Sequence, residues 1–168
     1  MITKKQLLDS LLHELHVVKH LTSKLTPEMM DYRPAPGMRS TLELLHYLCC
    51  VGAGATKSIA NNNWEIFSAY SAEAKNFTLK DIPAALDRQA QDLKDAFAEI
   101  SEDKFTNFDV TYPWGGGDKL GMAVINTSLK FLTAYKLQLF VYAKSCGLTK
   151  LNTANAWGGI DMEMPAPK

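Results

Sequence analysis

Three of the four histidines of the chain lie close together near its N-terminus. His13, His16 and His20 are spaced i, i+3 and i+7, which places them on one face of a helix. Clustered imidazoles could bind a metal, but this face is nearly opposite the apolar stripe that contains Leu7 and Leu11. We therefore predict that the three rings face solvent or a partner subunit. A surface metal or an interface cluster is the alternative.

Glu14 is the carboxylate of this segment that could carry chemistry. It falls within the leucine stripe, between Val18 and Leu21 on the helical wheel, where a charge is costly unless it is paired. Two interpretations are open. We favour a position at the edge of the stripe, from which Glu14 reaches solvent or caps a loop; the other is a carboxylate inside a pocket.

His46 and Cys50 form a second candidate pair, because residues at i and i+4 share a helix face. Imidazole and thiolate both ligate metals, and together they could form a nucleophilic centre. No third ligand stands at a suitable spacing, and a lone histidine on an apolar helix is more often a hydrogen-bonded core residue. The sequence also lacks a P-loop, a dinucleotide fingerprint, a nucleophile elbow and a histidine–glutamate zinc signature.

The composition narrows the classes of partner. The chain has 18 basic and 18 acidic side chains and a formal net charge of zero. This balance gives no reason to expect nucleic acid or an acidic membrane as a partner. No segment approaches the roughly 20 apolar residues of a membrane-spanning helix, and the N-terminus lacks a signal-peptide pattern. Cys49, Cys50 and Cys146 cannot form a disulfide framework, so we expect free thiols and a cytoplasmic protein.

These residues must be positioned by helices. The 168 residues suit one domain spanning residues 1–168. Apolar periodicity and capping patterns predict four helices at about 3–25, 41–60, 81–100 and 118–146, with a short strand at 108–112. Residues 64–80 are ambiguous, and the tail from residue 148 reads as irregular, with a frayed end at Pro165–Pro167. The fold class predicted is an all-α four-helix bundle, in which the long first connection can act as a crossover.

Two stretches of the chain resemble the DinB-like superfamily. The first has a proline loop and a serine-capped helix: Leu25-Thr26-Pro27-Glu28, Tyr32-Arg33-Pro34-Ala35-Pro36-Gly37 and Ser40-Thr41-Leu42-Glu43-Leu44-Leu45-His46-Tyr47-Leu48. The second resembles the family's strand, turn and last helix with its Arg-Gly-Gln-like run: Tyr112-Pro113-Trp114-Gly115 and Lys136-Leu137-Gln138-Leu139. The similarity covers nearly the whole chain.

The resemblance implies a four-helix bundle with a crossover, often a homodimer. Many members hold a divalent metal with three histidines, one on the second helix and two at i, i+4 on the last. Some members are thiol-dependent transferases. His46 matches the first ligand, and the register places the other two at Phe131 and Tyr135. Because no histidine follows His46 in the chain, we predict that the metal site is lost and that no cofactor is bound.

The vacated positions lie on the inward stripe of the predicted last helix, together with Gln138. Core packing of Phe131 and Tyr135 is the interpretation that we favour. The alternative is an aromatic pocket beside His46, in which Tyr135 and Gln138 supply polar groups to a ligand.

The function that follows is a homodimeric, non-catalytic module that binds a small molecule or a protein. One alternative is an enzyme: either a metal-dependent one of the thiol transferase or hydrolase kind, with a site rebuilt from His46, Glu14 and Cys50, or a metal-free catalyst that uses His46 and Tyr135. Another is a scaffold that binds a partner through the His13–His16–His20 face. An exposed apolar patch beside that face would favour the scaffold.

Overall fold

The fold consists of helices and one small hairpin. The computed structural model describes residues 2–162. Its elements in chain order are α1 Lys4–Thr22, α2 Thr41–Val51, α3 Ala53–Ala60, α4 Glu65–Ala74, α5 Ile82–Glu99, α6 Glu102–Asn107, β1 Asp109–Thr111, β2 Gly117–Lys119, α7 Leu120–Val124 and α8 Lys130–Ser145. A 3-10 turn at Pro27–Met29 and π-helical turns at Ile125–Leu129 and Ala154–Gly158 complete the list.

Four long helical units form the bundle that the sequence predicts. α1 packs against α5 and α8, and α2 packs against the same two helices. α1 and α2 therefore occupy opposite corners, as do α5 and α8, which confirms the all-α bundle with a crossover between α1 and α2. The buried apolar side chains of these helices form one core. No helix within residues 2–162 is both long enough and apolar enough to cross a membrane.

The predicted second helix is broken into α2 and α3 at Gly52. Gln89 of α5 compensates for the break: its Oε1 accepts from the backbone N–H groups of Gly52 at 2.7 Å and Ala53 at 3.0 Å, and its Nε2 donates to the Leu48 carbonyl at 2.9 Å. A Cβ at position 52 would lie 2.8 Å from Gln89 Oε1, so the close approach requires glycine. Expecting one continuous helix over 41–60 was therefore wrong.

The strand predicted at 108–112 has a partner that the sequence did not reveal. β1 pairs antiparallel with β2, with Val110 opposite Asp118. The pairing takes residues 118 and 119 out of the predicted fourth helix, which begins at Leu120 instead of Asp118. The π-helical turn Ile125–Leu129 then joins α7 to α8 without ending the helix.

Helices α4 and α6 were not predicted, since α4 lies in the ambiguous stretch 64–80 and α6 is short and mostly polar. α4 packs over α2 and α3, and α6 begins at the cap Ser101, whose hydroxyl accepts from the Lys104 N–H. The tail also contains order that its composition did not indicate, because the turn Ala154–Gly158 packs on α1. The predicted frayed end, Pro165–Pro167, lies outside the described residues.

Candidate functional site

His46 stands on α2, one turn after the capping box in which Ser40 Oγ accepts from the Glu43 N–H. Its ring is partly buried, and its Nε2 lies 2.8 Å from the carbonyl oxygen of Phe77, which can only accept. Nε2 therefore carries the proton, and Nδ1 is the ring's single acceptor. The histidine is a hydrogen-bonded residue at the edge of the core.

The two positions expected to hold ligands, Phe131 and Tyr135, are partly buried on α8. Tyr135 packs edge-on against Tyr47 of α2, with ring centroids 4.7 Å apart. The guanidinium of Arg39 covers this pair, 4.4 Å from the centroid of the Tyr47 ring and 5.2 Å from that of Tyr135. An arginine cation thus lies over one of the former ligand positions.

Arg39 is the functional candidate that sequence reasoning missed. It is exposed, and no carboxylate of residues 2–162 lies within ion-pairing distance of its guanidinium. Its backbone carbonyl accepts from the Tyr142 hydroxyl at 3.1 Å, and Gln138 Nε2 donates to that same hydroxyl at 2.6 Å. Gln138 therefore positions the Tyr142 hydroxyl that binds the backbone of Arg39. Arg39 lies in an irregular loop and is far in sequence from Tyr135, so it gives no periodic signal.

An aromatic chain continues from this pair across the face of the bundle. Tyr47 meets Phe67 at 6.4 Å between ring centroids, Phe67 meets Trp64 at 6.3 Å, and Trp64 meets Trp114 at 5.6 Å. Trp114 in turn stacks on Tyr112 at 5.0 Å with the rings nearly parallel, and it is 61% exposed. The surface beside Arg39 therefore offers several aromatic faces.

Cys50 lies below this surface as a buried thiol. Its Sγ donates to the Tyr47 carbonyl at 3.2 Å, and burial raises its pKa to about 12, although the Arg39 charge opposes that shift. Burial raises the pKa of its neighbour Cys49 to about 12 as well. Neither thiol is a thiolate near neutral pH, so neither has the nucleophilic form that thiol chemistry requires.

The position that we favour for Glu14 from the sequence, at the edge of the stripe and reaching solvent, is not the one that the structure shows. Glu14 Oε2 lies 2.8 Å from Nζ of Lys136 on α8, with the glutamate side chain 12% exposed and the lysine side chain 1% exposed. The ammonium group also lies 4.5 Å from the centroid of the Trp157 ring. The carboxylate is therefore tolerated inside the bundle because a buried cation pairs with it.

The histidine face is also covered more than predicted. His13 and His16 remain exposed, but each Nε2 meets a backbone carbonyl of the C-terminal segment: Trp157 at 2.7 Å and Gly159 at 3.1 Å. His20 meets Asn155 Nδ2 at 3.1 Å. The face therefore binds the chain's own tail. The exposed apolar side chains beside it are Trp157, Ile160 and Met162.

The residues at the predicted site do not fit a divalent metal. Phe131 has no donor atom, the Tyr135 ring faces a guanidinium, and Glu14 is occupied by Lys136. Nowhere in residues 2–162 do three or more histidine, cysteine, aspartate or glutamate side chains form a group that could hold a metal ion. The donor set that the resemblance implies is reduced to His46 alone.

Comparison with known proteins places the fold. No protein-family profile and no curated protein sequence matches the chain. Among solved structures, a DinB-like protein of Bacillus subtilis matches with a TM-score of 0.71 at 17% identity, over 88% of this chain and 96% of that one. A protein assigned to the DinB family from Exiguobacterium sibiricum matches with a TM-score of 0.70 at 22% identity, over 91% and 98%. The chain has the DinB-like fold, as the sequence resemblance predicts.

Proposed function

We propose that the chain is a metal-free, non-catalytic binding module of the DinB-like fold, and that its ligand site is the surface formed by Arg39, Tyr47 and Tyr135. The observation that carries this proposal is the guanidinium stacked over the Tyr47–Tyr135 pair. The guanidinium lies over Tyr135, one of the two former ligand positions, where its charge opposes the binding of a divalent cation and attracts an anion instead.

The chemistry of the surface indicates the class of ligand. The guanidinium lies over the two rings, is exposed and has no carboxylate partner among residues 2–162, so its N–H groups are available to a carboxylate or phosphate group. The neighbouring rings of Phe67 and Trp64 offer contact to an apolar body. A small anion with an aromatic or apolar part satisfies both features.

The alternative of an enzyme rebuilt from His46, Glu14 and Cys50 has less support. Glu14 is paired with Lys136 and covered by Trp157, while the Cys50 thiol is buried and protonated. The three groups have separate partners on the molecule, and none is set to transfer a proton to another.

Titration with benzoate and with inorganic phosphate, followed by amide NMR, tests the ligand site. We expect benzoate to shift the signals around Arg39 and Tyr135, and R39Q to abolish that shift. R88Q, which removes an exposed arginine from α5, is the matched control and should leave the shift intact. Shifts that persist in R39Q would contradict the proposed site.

A protein–protein surface is a second candidate function, favoured by one observation. Trp157, Ile160 and Met162 are 51%, 47% and 55% exposed beside the histidine face. We propose a homodimer, as the resemblance implies, formed through this apolar patch. The mass in solution should be twice 18.7 kDa for the wild type and 18.7 kDa for I160E. M122E, at another exposed apolar position, should remain dimeric; a monomeric wild type would contradict the proposal.

The cytoplasm is the location that we infer. The support is chemical: the three cysteines are free, and two of them are buried where oxidation would disturb the core.

A further inference from the structure

The C-terminal segment Ala154–Asp161 is held to α1 by three histidines. The Nε2 atoms of His13, His16 and His20 contact its Trp157 carbonyl, its Gly159 carbonyl and its Asn155 amide at 2.7, 3.1 and 3.1 Å. At its end, Asp161 pairs with Lys24 at 2.5 Å. The spacing i, i+3, i+7 thus gives each imidazole its own contact with the segment.

The contact between this segment and α1 depends on a glycine. Gly159 has a φ of 63°, the left-handed region that disfavours side chains. A Cβ at this position would lie 2.7 Å from the His16 ring and 3.2 Å from the Val17 backbone. Contact this close, combined with the backbone conformation, means that docking depends on glycine at position 159.

The docked segment covers the Glu14–Lys136 pair. The Trp157 ring rests 4.5 Å from the ammonium group of Lys136, while its own carbonyl is bonded to His13. Lys136 is 1% exposed, so the ring is part of what separates the buried pair from solvent.

The three histidines do not play the same role. His13 and His16 face carbonyl oxygens, so their Nε2 atoms donate, and a protonated ring keeps that bond. His20 Nε2 lies 3.1 Å from the Asn155 amide nitrogen, which donates, so a neutral ring can accept this bond and a protonated ring cannot. The same amide nitrogen lies 3.1 Å from the Ile160 carbonyl oxygen and 3.0 Å from Asp161 Oδ1. The other charged or titratable groups that face His20 within the described residues are His16 on α1, Lys24 just after α1, and Asp161 on the segment, whose Oδ1 lies 3.7 Å from His20 Nε2.

We propose that segment Ala154–Asp161 is an acid-released clasp, docked on α1 while His20 is neutral and undocked when His20 is protonated. Undocking withdraws the Trp157 ring from Lys136 and opens the Glu14–Lys136 pair to water. The device needs no change in the bundle itself, because the segment follows α8 after an irregular connection.

The direction of the pH response follows from the surroundings of His20. Burial is the largest influence and lowers its pKa below the ordinary 6.5, and Lys24 lowers it further. Lys24 and His16 stay beside His20 in both states, since all three belong to or follow α1. Undocking removes the burial, which favours the proton, and also removes Asp161, which opposes this effect but is the smaller influence. Protonation therefore favours the undocked state as the pH falls through and below the ordinary range of histidine.

Hydrogen–deuterium exchange of the full-length protein tests the clasp. Exchange of the amides in 152–162 is measured at about pH 8 and about pH 5, on either side of the ordinary range of histidine. Rates are corrected for intrinsic chemistry, and the protein is kept at a concentration at which its mass in solution does not change with pH. We expect protection of this segment to fall severalfold at the lower pH, while the amides of α5 keep theirs.

Three variants separate the clasp from general acid destabilisation. H20Q keeps an oxygen acceptor for Asn155 without titrating, and it should hold the segment docked at both pH values. H13Q, the matched control, should retain the wild-type response. G159A should expose the segment at both values and so mark the undocked state. A pH response that persists in H20Q, or an unchanged wild type when G159A does open, would overturn the proposal.

Discussion

Lys136 of α8 lies with its Nζ 2.8 Å from Oε2 of Glu14 on α1, inside a bundle whose other core side chains are almost all apolar. Neither atom has a well-aligned hydrogen-bond partner within the described residues. The attraction between them is therefore mainly Coulombic, and each charge depends on the other for its compensation.

Removing one charge of this pair should be far more harmful than removing both. E14Q leaves the ammonium of Lys136 buried without a counter-charge, and we expect it to lower the free energy of unfolding by about 3–5 kcal/mol. The double variant E14L/K136M replaces the pair with apolar groups of similar length and should recover most of that loss. Urea unfolding of the single and double variants measures both effects. Equal losses in the two would show that the charges do not depend on each other.

Gln89 should be a large stability determinant although its side chain is not part of the candidate site. Q89A removes three hydrogen bonds and leaves the backbone groups of Gly52, Ala53 and Leu48 without their partner. We expect a loss of about 2–4 kcal/mol, from unsatisfied buried groups and a small cavity. Q91A, on the exposed side of the same helix, is the control and should change stability by less than about 0.5 kcal/mol. Thermal and urea unfolding of the two variants can be compared directly.

The three thiols should react in two classes. Burial raises the pKa of Cys49 and of Cys50 to about 12, so at pH 8 only about one molecule in 10⁴ carries either thiolate. Cys146 is less buried, and burial raises its pKa by less. A disulfide reagent should therefore modify Cys146 first, and C146S should lose the fast phase. Rapid labelling of Cys50 in the native protein, located by mass spectrometry, would reopen thiol chemistry at this site.

The loop that carries Arg39 is anchored by an acid-sensitive ion pair. The Glu43 carboxylate accepts from the Arg33 guanidinium at 2.7 Å and also from the Ser40 N–H. These two contacts lower the pKa of Glu43 to about 2. A depressed pKa adds stability above the ordinary value of 4.5, and this stability is lost as the pH falls towards 2. E43Q keeps the capping geometry and removes the charge. Its small destabilisation should therefore be present at neutral pH and vanish near pH 2, as followed by thermal melts.

Periodicity and caps predict the long helices well because each of these helices has a local cause. The box at Ser40 and the leucine stripe of α1 act within a few residues, and both appear in the structure as the sequence indicates. The break at Gly52 was missed because its stabilising partner, Gln89, is distant in sequence. The pairing of β1 with β2 was missed since β2 has no strand-like pattern of its own.

From the sequence, the candidate site could be predicted only where the presence or absence of a residue type decides the question. Counting histidines shows that the triad beginning at His46 is incomplete, without any structure. The cation over Tyr135 comes from Arg39, which no spacing rule connects to α8. Likewise, a helical wheel identifies the side of α1 on which Glu14 and His20 lie, but it cannot show that Lys136 and the tail cover them. Contacts of long sequence separation decide both sites.

Metal content, measured by elemental analysis on protein purified without a histidine tag, tests the central claim most directly. We expect only traces of zinc, nickel and iron, well below one ion per chain, and no change in H46A. About one ion per chain that is lost in H46A would contradict the proposed metal-free module, because His46 would then be a metal ligand.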